Sequence, residues 1–198
     1  MQEHIQNELA SFIANCDWEK IAPHFKEDAA YRVLDWIGCA VAGEHYPQVE
    51  IAQKYFIENG DQGNSTVIGH QTKCSPRTAA FLNGIAGHVC ELDDGHRTAI
   101  GHPGSIAVPT ALALGEHLNA SGADVLKAVI LGYEVFSRLG RTVNPSHYRT
   151  WHTTGTCGTI AAAAAAASLL KLSAEETNNA IGIAATMAGG LVLSLIHI

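Results

Sequence analysis

Charged side chains are scarce in this sequence: Asp, Glu, Lys and Arg together make up 16% of 198 residues, against about a quarter in an ordinary soluble domain. Only twelve residues are Lys or Arg, and they form no run, while the formal net charge is −7. A nucleic-acid surface needs clustered basic residues, so that class of partner is excluded. The five cysteines, Cys16, Cys39, Cys74, Cys90 and Cys157, are odd in number and include no C-x-x-C pair. That spacing excludes a disulfide framework and the usual cysteine sites for zinc or iron–sulfur clusters, and it fits reduced thiols in a cytoplasmic setting. Aromatic residues are few as well, at 7%, and runs of alternating β-branched residues are nearly missing. The polar, acidic opening "MQEHIQNELASFIANCDWEK" does not read as a signal peptide.

What the chain has instead is small apolar residues at helical spacing. The stretch "EDAAYRVLDWIGCAVAG" predicts a helix over 27–43, with Ala30, Val33, Leu34, Ile37 and Val41 as its inner stripe and Gly43 just past its end. Further helices are expected over 49–58, after Ser75-Pro76, over 105–118 and over 121–140. Another starts at "SAEET", where Ser173 precedes Glu175 and Glu176. Thr66 to Gly69 is the one candidate extended piece. The fold class is all-α, a multi-helix bundle.

The run "WHTTGTCGTIAAAAAAASLL", residues 151–170, is the most unusual element. Alanine is the strongest helix former, and a helix without side chains can approach its neighbours closely. At its entrance stand His152, Thr153, Thr154, Gly155 and Thr156, where free backbone N–H groups and the helix dipole favour a carboxylate or phosphate. Residues 180–198, "AIGIAATMAGGLVLSLIHI", carry no formal charge and reach the length of a membrane span. Three glycines and the polar "SAEETNN" before them favour a buried helix, so no membrane association is expected.

Two irregular segments gather the titratable groups. The first, residues 88–105, holds His88, Glu91, Asp93, Asp94, His96, Arg97 and His102; the second holds Arg141, His147, Tyr148, Arg149 and His152. In each, a histidine precedes a helix of small residues: His102 before Pro103-Gly104-Ser105, and His152 before the threonines. An imidazole base beside a carboxylate-binding helix end suits proton abstraction next to that carboxylate. His88 and Cys90 read as core residues on an apolar helix. His88, Asp93, His96 and His102 are chemically able to bind a metal, but their spacing matches no ligand motif, so no metal and no cofactor is expected.

At these residues the sequence resembles the MmgE/PrpD family, through "LDWIGCAVAG", "AAFLNGIAGHVCELDD", "HPGSIAVPTALALGE", "GYEVFSRLGR" and "WHTTGTCGTIAAAAAA" in that order. The resemblance implies a large helical domain followed by an α+β lid domain, usually in homodimers. It also implies lyase-type chemistry on small di- or tricarboxylates without an iron–sulfur cluster. The family includes 2-methylcitrate dehydratase, cis-aconitate decarboxylase and iminodisuccinate epimerase. Dehydration of a 2-methylcitrate-like hydroxy acid is the leading expectation, with decarboxylation or epimerisation of a related acid as alternatives. A non-catalytic helical interaction module is the reading from a different class.

By that likeness His102 and His152 match the family's active-site histidines, and Glu91, Asp93 and Asp94 its acidic pocket segment. The amides of Thr153, Thr154, Gly155 and Thr156 are expected to cradle a carboxylate. Charge and position make Arg97 and Arg149 candidates for a second one. Family members are roughly twice this length, so residues 1–191 are expected to be the N-terminal part of the helical domain without the lid. The closing residues 192–198 depart from the family pattern, which suggests a truncated record with a non-native tail and an inactive, aggregation-prone fragment.

Overall fold

The computed structural model describes residues 5–71 and 73–192. The all-α expectation holds. Eight α-helices span Ile5–Ala14 (α1), Pro23–Gly43 (α2), Pro47–Glu58 (α3), Pro76–His88 (α4), Gly104–His117 (α5), Gly122–Val143 (α6), Thr153–Leu169 (α7) and Ala174–Met187 (α8) among the described residues. Short 3-10 turns cover Trp18–Lys20 and His147–Arg149. The one strand pair among the described residues is a two-residue antiparallel pairing of Ser65–Thr66 with Lys73–Cys74.

Local chemistry accounts for the helix starts. Pro occupies the first turn of α2, α3 and α4, where a missing N–H costs nothing. The Ser75 hydroxyl accepts from Thr78 N–H, and that of Ser121 accepts from Asp124 N–H. Ser173 and Glu176 form a reciprocal capping box at α8. Gly60, at φ +78°, closes α3 in the left-handed region that glycine alone enters freely.

Helix α7 sits at the centre, packed on α5, α6, α8 and α1. Its Ala161, Ala164, Ala165 and Ala167 are all buried. Close approach is what the small residues provide. A Cβ on Gly132 of α6 would lie 2.7 Å from the Ala107 Cβ of α5, and one on Gly158 would lie 2.8 Å from Ile106. Leu131, Val135 and Phe136 of α6 fill the space on one side of α7. Trp36, Val108 and Val129 anchor a second cluster between α2, α5 and α6.

Three expectations need correction. Gly43 ends α2 in helical conformation: it is buried against α4, where an added Cβ would sit 2.0 Å from the Ala86 carbonyl. The inner stripe of α2 is Ala29, Trp36, Cys39 and Ala40, whereas Leu34 and Val41 are exposed. Apolar residues line two faces of this helix, and the face that can meet α4 closely is the one carrying Gly43 and Trp36. The uncharged stretch from residue 180 is helical only to Met187. Residues 188–192 then run back along the entrance of α7, with Trp151 bridged to Leu191. No described helix is long and apolar enough to cross a membrane. The expected non-native tail, apart from Val192, lies outside the described residues.

Candidate active site

The irregular segment after α4 folds back so that His102 faces the last turn of that helix. A tight loop makes the reversal: His96 N–H donates to the Gly101 carbonyl at 2.8 Å, and Ile100 N–H donates to the His96 carbonyl at 2.8 Å. Gly101 is required where the loop meets α6 and α7. A Cβ there would stand 2.7 Å from Phe136 and 3.0 Å from the Thr154 hydroxyl. One residue later, His102 N–H donates to Thr154 Oγ1 at 3.1 Å. The two histidine-bearing helix entrances are thereby tied to each other.

Asp93 is the centre of the cluster. Its carboxylate side chain is fully buried and accepts from His88 Nδ1, which lies 3.0 Å from both oxygens. The Ser105 hydroxyl donates to Oδ2. His102 Nδ1 stands 3.4 Å from the same oxygen, a charge contact rather than an aligned hydrogen bond. The rings of His88 and His102 meet edge to face at 4.8 Å. Beyond them, Glu91 reaches back so that its oxygens lie 3.5 Å from His88 Nε2 and 3.9 Å from His102 Nε2.

Electrostatics drives the two predicted histidines apart. The Asp93 carboxylate beside His102 raises that imidazole above its ordinary value, outweighing partial burial. Burial lowers His152, and the neighbouring charges of His88 and His102 lower it further. Asp93 itself is held well below the usual carboxylate range by the imidazoles and the Ser105 hydroxyl, against the cost of burial. The two shifts run in opposite directions, so His102 holds its proton to higher pH than His152 does.

The structure separates the other predicted site residues. Asp94 turns away from Asp93: one oxygen accepts from Gly104 N–H at the start of α5 at 3.0 Å, and the other from Arg32 at 2.9 Å. It is a helix cap and ion-pair partner. Arg97 is exposed and lines a separate cavity of about 430 Å³ with Arg32, Asp94 and Tyr133. Arg149 is exposed on its 3-10 turn, and no described contact brings it to the imidazoles.

Two of the four amides at the entrance of α7, and the threonine hydroxyls, have partners within the fold. Gly155 and Thr156 N–H both donate to the His152 carbonyl. Thr153 Oγ1 accepts from Asn144, Thr154 Oγ1 from the His102 backbone, and Thr156 Oγ1 pairs with His147 Nε2 at 2.7 Å. The segment at Gly189 and Gly190 also passes over Gly155, where a Cβ would meet the Gly189 carbonyl at 2.6 Å. The Thr154 hydroxyl thus fixes the His102 backbone, while those of Thr153 and Thr156 are bonded to Asn144 and His147.

His88 is the residue that sequence reasoning placed wrongly in the core. Its side chain is 26% exposed and sits in the last turn of α4. The signal was available: a histidine ending a helix, three residues before Glu91 and five before Asp93, can fold onto both. Ser105, named only as part of the helix entrance after His102, also joins the cluster through Asp93.

The sequence profile of the MmgE/PrpD N-terminal domain matches residues 7–195. A cis-aconitate decarboxylase-like protein, oryM, of Aspergillus oryzae is 34% identical over 198 residues, covering 96% of this chain and 41% of that protein. A cis-aconitate decarboxylase of Aspergillus terreus is 33% identical, covering 95% of this chain and 40% of its own length. The Homo sapiens cis-aconitate decarboxylase is 34% identical over 165 residues, covering 79% and 34% respectively. The chain thus spans about two-fifths of the length of the fungal relatives. With the histidine-bearing helix entrances lying inside the matched region, the chain belongs to the MmgE/PrpD family.

Proposed function

We propose that this chain supplies the acid–base half of a lyase acting on a small di- or tricarboxylate, and that the reaction is decarboxylation of a cis-aconitate-type acid. The observation that carries the reading is the convergence of His102 and His152 on one acid-lined cluster, with opposite protonation preferences. Loss of CO2 leaves an electron pair on carbon that must receive one proton, so the site needs a group that gives one. His102, whose proton affinity Asp93 raises, is suited to give it; His152, whose affinity burial lowers, is suited to take a proton in the alternative dehydration.

In decarboxylation the bond from carbon to the departing carboxylate breaks and CO2 leaves. The electron pair stays on the remaining carbon framework, where it is taken up by a proton from the His102 imidazolium. The same positive charge attracts the substrate anion beforehand. The Asp93 charge does not repel that anion, because His88, His102 and Ser105 surround it.

The dehydration of a 2-methylcitrate-like acid, the leading expectation from resemblance, yields to decarboxylation because the relatives covering most of this chain are named cis-aconitate decarboxylases. Dehydration would use both imidazoles, one to take the proton next to the carboxylate and one to protonate the leaving hydroxyl, whereas decarboxylation uses the donor alone. CO2 release from cis-aconitate, compared with turnover of 2-methylcitrate, citrate and iminodisuccinate, tests the choice in the gene product that carries this sequence. The expected loss for His102→Ala and His152→Ala is about 10²-fold or more in kcat. Near-normal turnover in both variants would overturn the reading.

A further inference from the structure

We propose that His88, Glu91 and His102 form a binding site for one divalent transition-metal ion of the zinc class. Each residue offers one ligand atom within 4.8 Å of the others, and the Nε2 nitrogens are the ones that face the Glu91 carboxylate. Around a tetrahedral zinc with bonds of about 2.0–2.1 Å, ligand atoms stand about 3.4 Å apart. The distances here, 3.5 Å from His88 Nε2 to Glu91 Oε1 and 3.9 Å from His102 Nε2 to Oε2, are near that value. Small side-chain rotations would close the rest.

The arrangement behind the ligands strengthens the case. A metal-binding imidazole usually presents one nitrogen to the ion while the other addresses a carboxylate that fixes the ring. Both rings do this toward the same buried group: His88 Nδ1 lies 3.0 Å and His102 Nδ1 3.4 Å from Asp93, which the Ser105 hydroxyl holds in place. Each Nε2 is left facing the partly exposed Glu91, from which side an ion can enter. Glu91 itself holds φ at +52°, a conformation uncommon for a residue with a side chain, and its carboxylate is thereby turned back to the imidazoles.

Two nitrogens and one carboxylate with an open fourth position select zinc, cobalt or nickel over magnesium and calcium, which require oxygen ligands. The spacing along the chain matches no ligand motif because the trio comes from a helix end, the turn after it and the far side of a loop. Occupancy removes His102 Nε2 from proton transfer, so the ion is an inhibitor of the pocket. That consequence rests on the lyase reading; the site itself does not.

The test is titration of the metal-free gene product that carries this sequence with Co2+, followed by visible absorption, then displacement by Zn2+. One equivalent with tetrahedral-type bands is expected, with no competition from Mg2+ or Ca2+. Glu91→Gln, at an exposed position, is expected to weaken binding at least 10-fold, as is His88→Ala if circular dichroism shows it folded. His96→Ala, on the same loop but bonded to Ala99 N–H, should bind normally. Absence of stoichiometric binding, unchanged affinity in Glu91→Gln, or loss in His96→Ala would each overturn the proposal. None of these readouts measures turnover, so failure here leaves the lyase reading standing.

Discussion

The backbone N–H of His102 donates to the side-chain oxygen of Thr154, two residues beyond His152, at 3.1 Å. This one bond joins the entrance of α5 to that of α7, and with them the two imidazoles on which the proposed chemistry depends. It is part-buried and lies where Gly101 allows the loop to touch α6 and α7. Thr154→Val keeps the shape and removes the acceptor, leaving a donor unpaired. We expect a loss of about 1–3 kcal/mol in denaturant unfolding. A fall in kcat is expected with it, because His102 is no longer held against α7.

Gly101→Ala tests the same junction by crowding. The new methyl group would stand 2.7 Å from the Phe136 ring and 3.0 Å from Thr154 Oγ1, and neither is the loose end of a flexible chain. Over-packing of this kind costs about 1–3 kcal/mol. Calorimetry should show a lowered Tm, while Gly38→Ala, with open space around it, should leave Tm unchanged or raise it.

The buried Asp93 gives the protein its expected acid sensitivity. Its folded value is depressed below the unfolded one of about 3.9. Its contribution to stability is therefore present above about pH 4 and lost as pH falls toward the lowered value. His102, raised in the folded state, contributes fully below about pH 6.5 and loses that contribution as pH rises through its folded value. His152 is depressed, so its contribution is present above about pH 6.5 and lost on acidification. Asp93→Asn should unfold more readily at pH 5 than the parent chain, yet lose less additional stability between pH 4 and pH 2. Urea titrations at these pH values measure both.

Much of the fold was legible because helix signals are local. Ser173 and Glu176, Ser121 and Asp124, and Pro76 act within one turn, and each marks an observed boundary, whereas Pro23 and Pro47 open helices whose starts the apolar spacing places at 27 and 49. The alanine run was read as a close-packed helix, and α7 is one. The face of α2 was not legible, because Leu34 and Val41 are as apolar as Trp36 and Ala40. Only the close approach of α4 at Gly43 decides which stripe goes inward.

The site divides along the same line. His102 and His152 stood out through their places before small-residue helices, and the fold brings those helix entrances together. Asp93 and Asp94 are adjacent and chemically identical, so the sequence could not say that one would serve the imidazoles and the other Arg32 and the start of α5. Nor could it show that the threonine hydroxyls would be taken by Asn144, His147 and the His102 backbone. Those partners come from elements distant along the chain.

Nitrogen-15 NMR titration of the imidazoles in chelator-treated protein reads the opposed histidines directly. His102 is expected to titrate above the ordinary histidine value of about 6.5 and His152 below it, with His102→Gln moving the His152 midpoint upward by removing a neighbouring positive charge. Coincident midpoints at the ordinary value, with His152 indifferent to the loss of His102, would contradict that expectation.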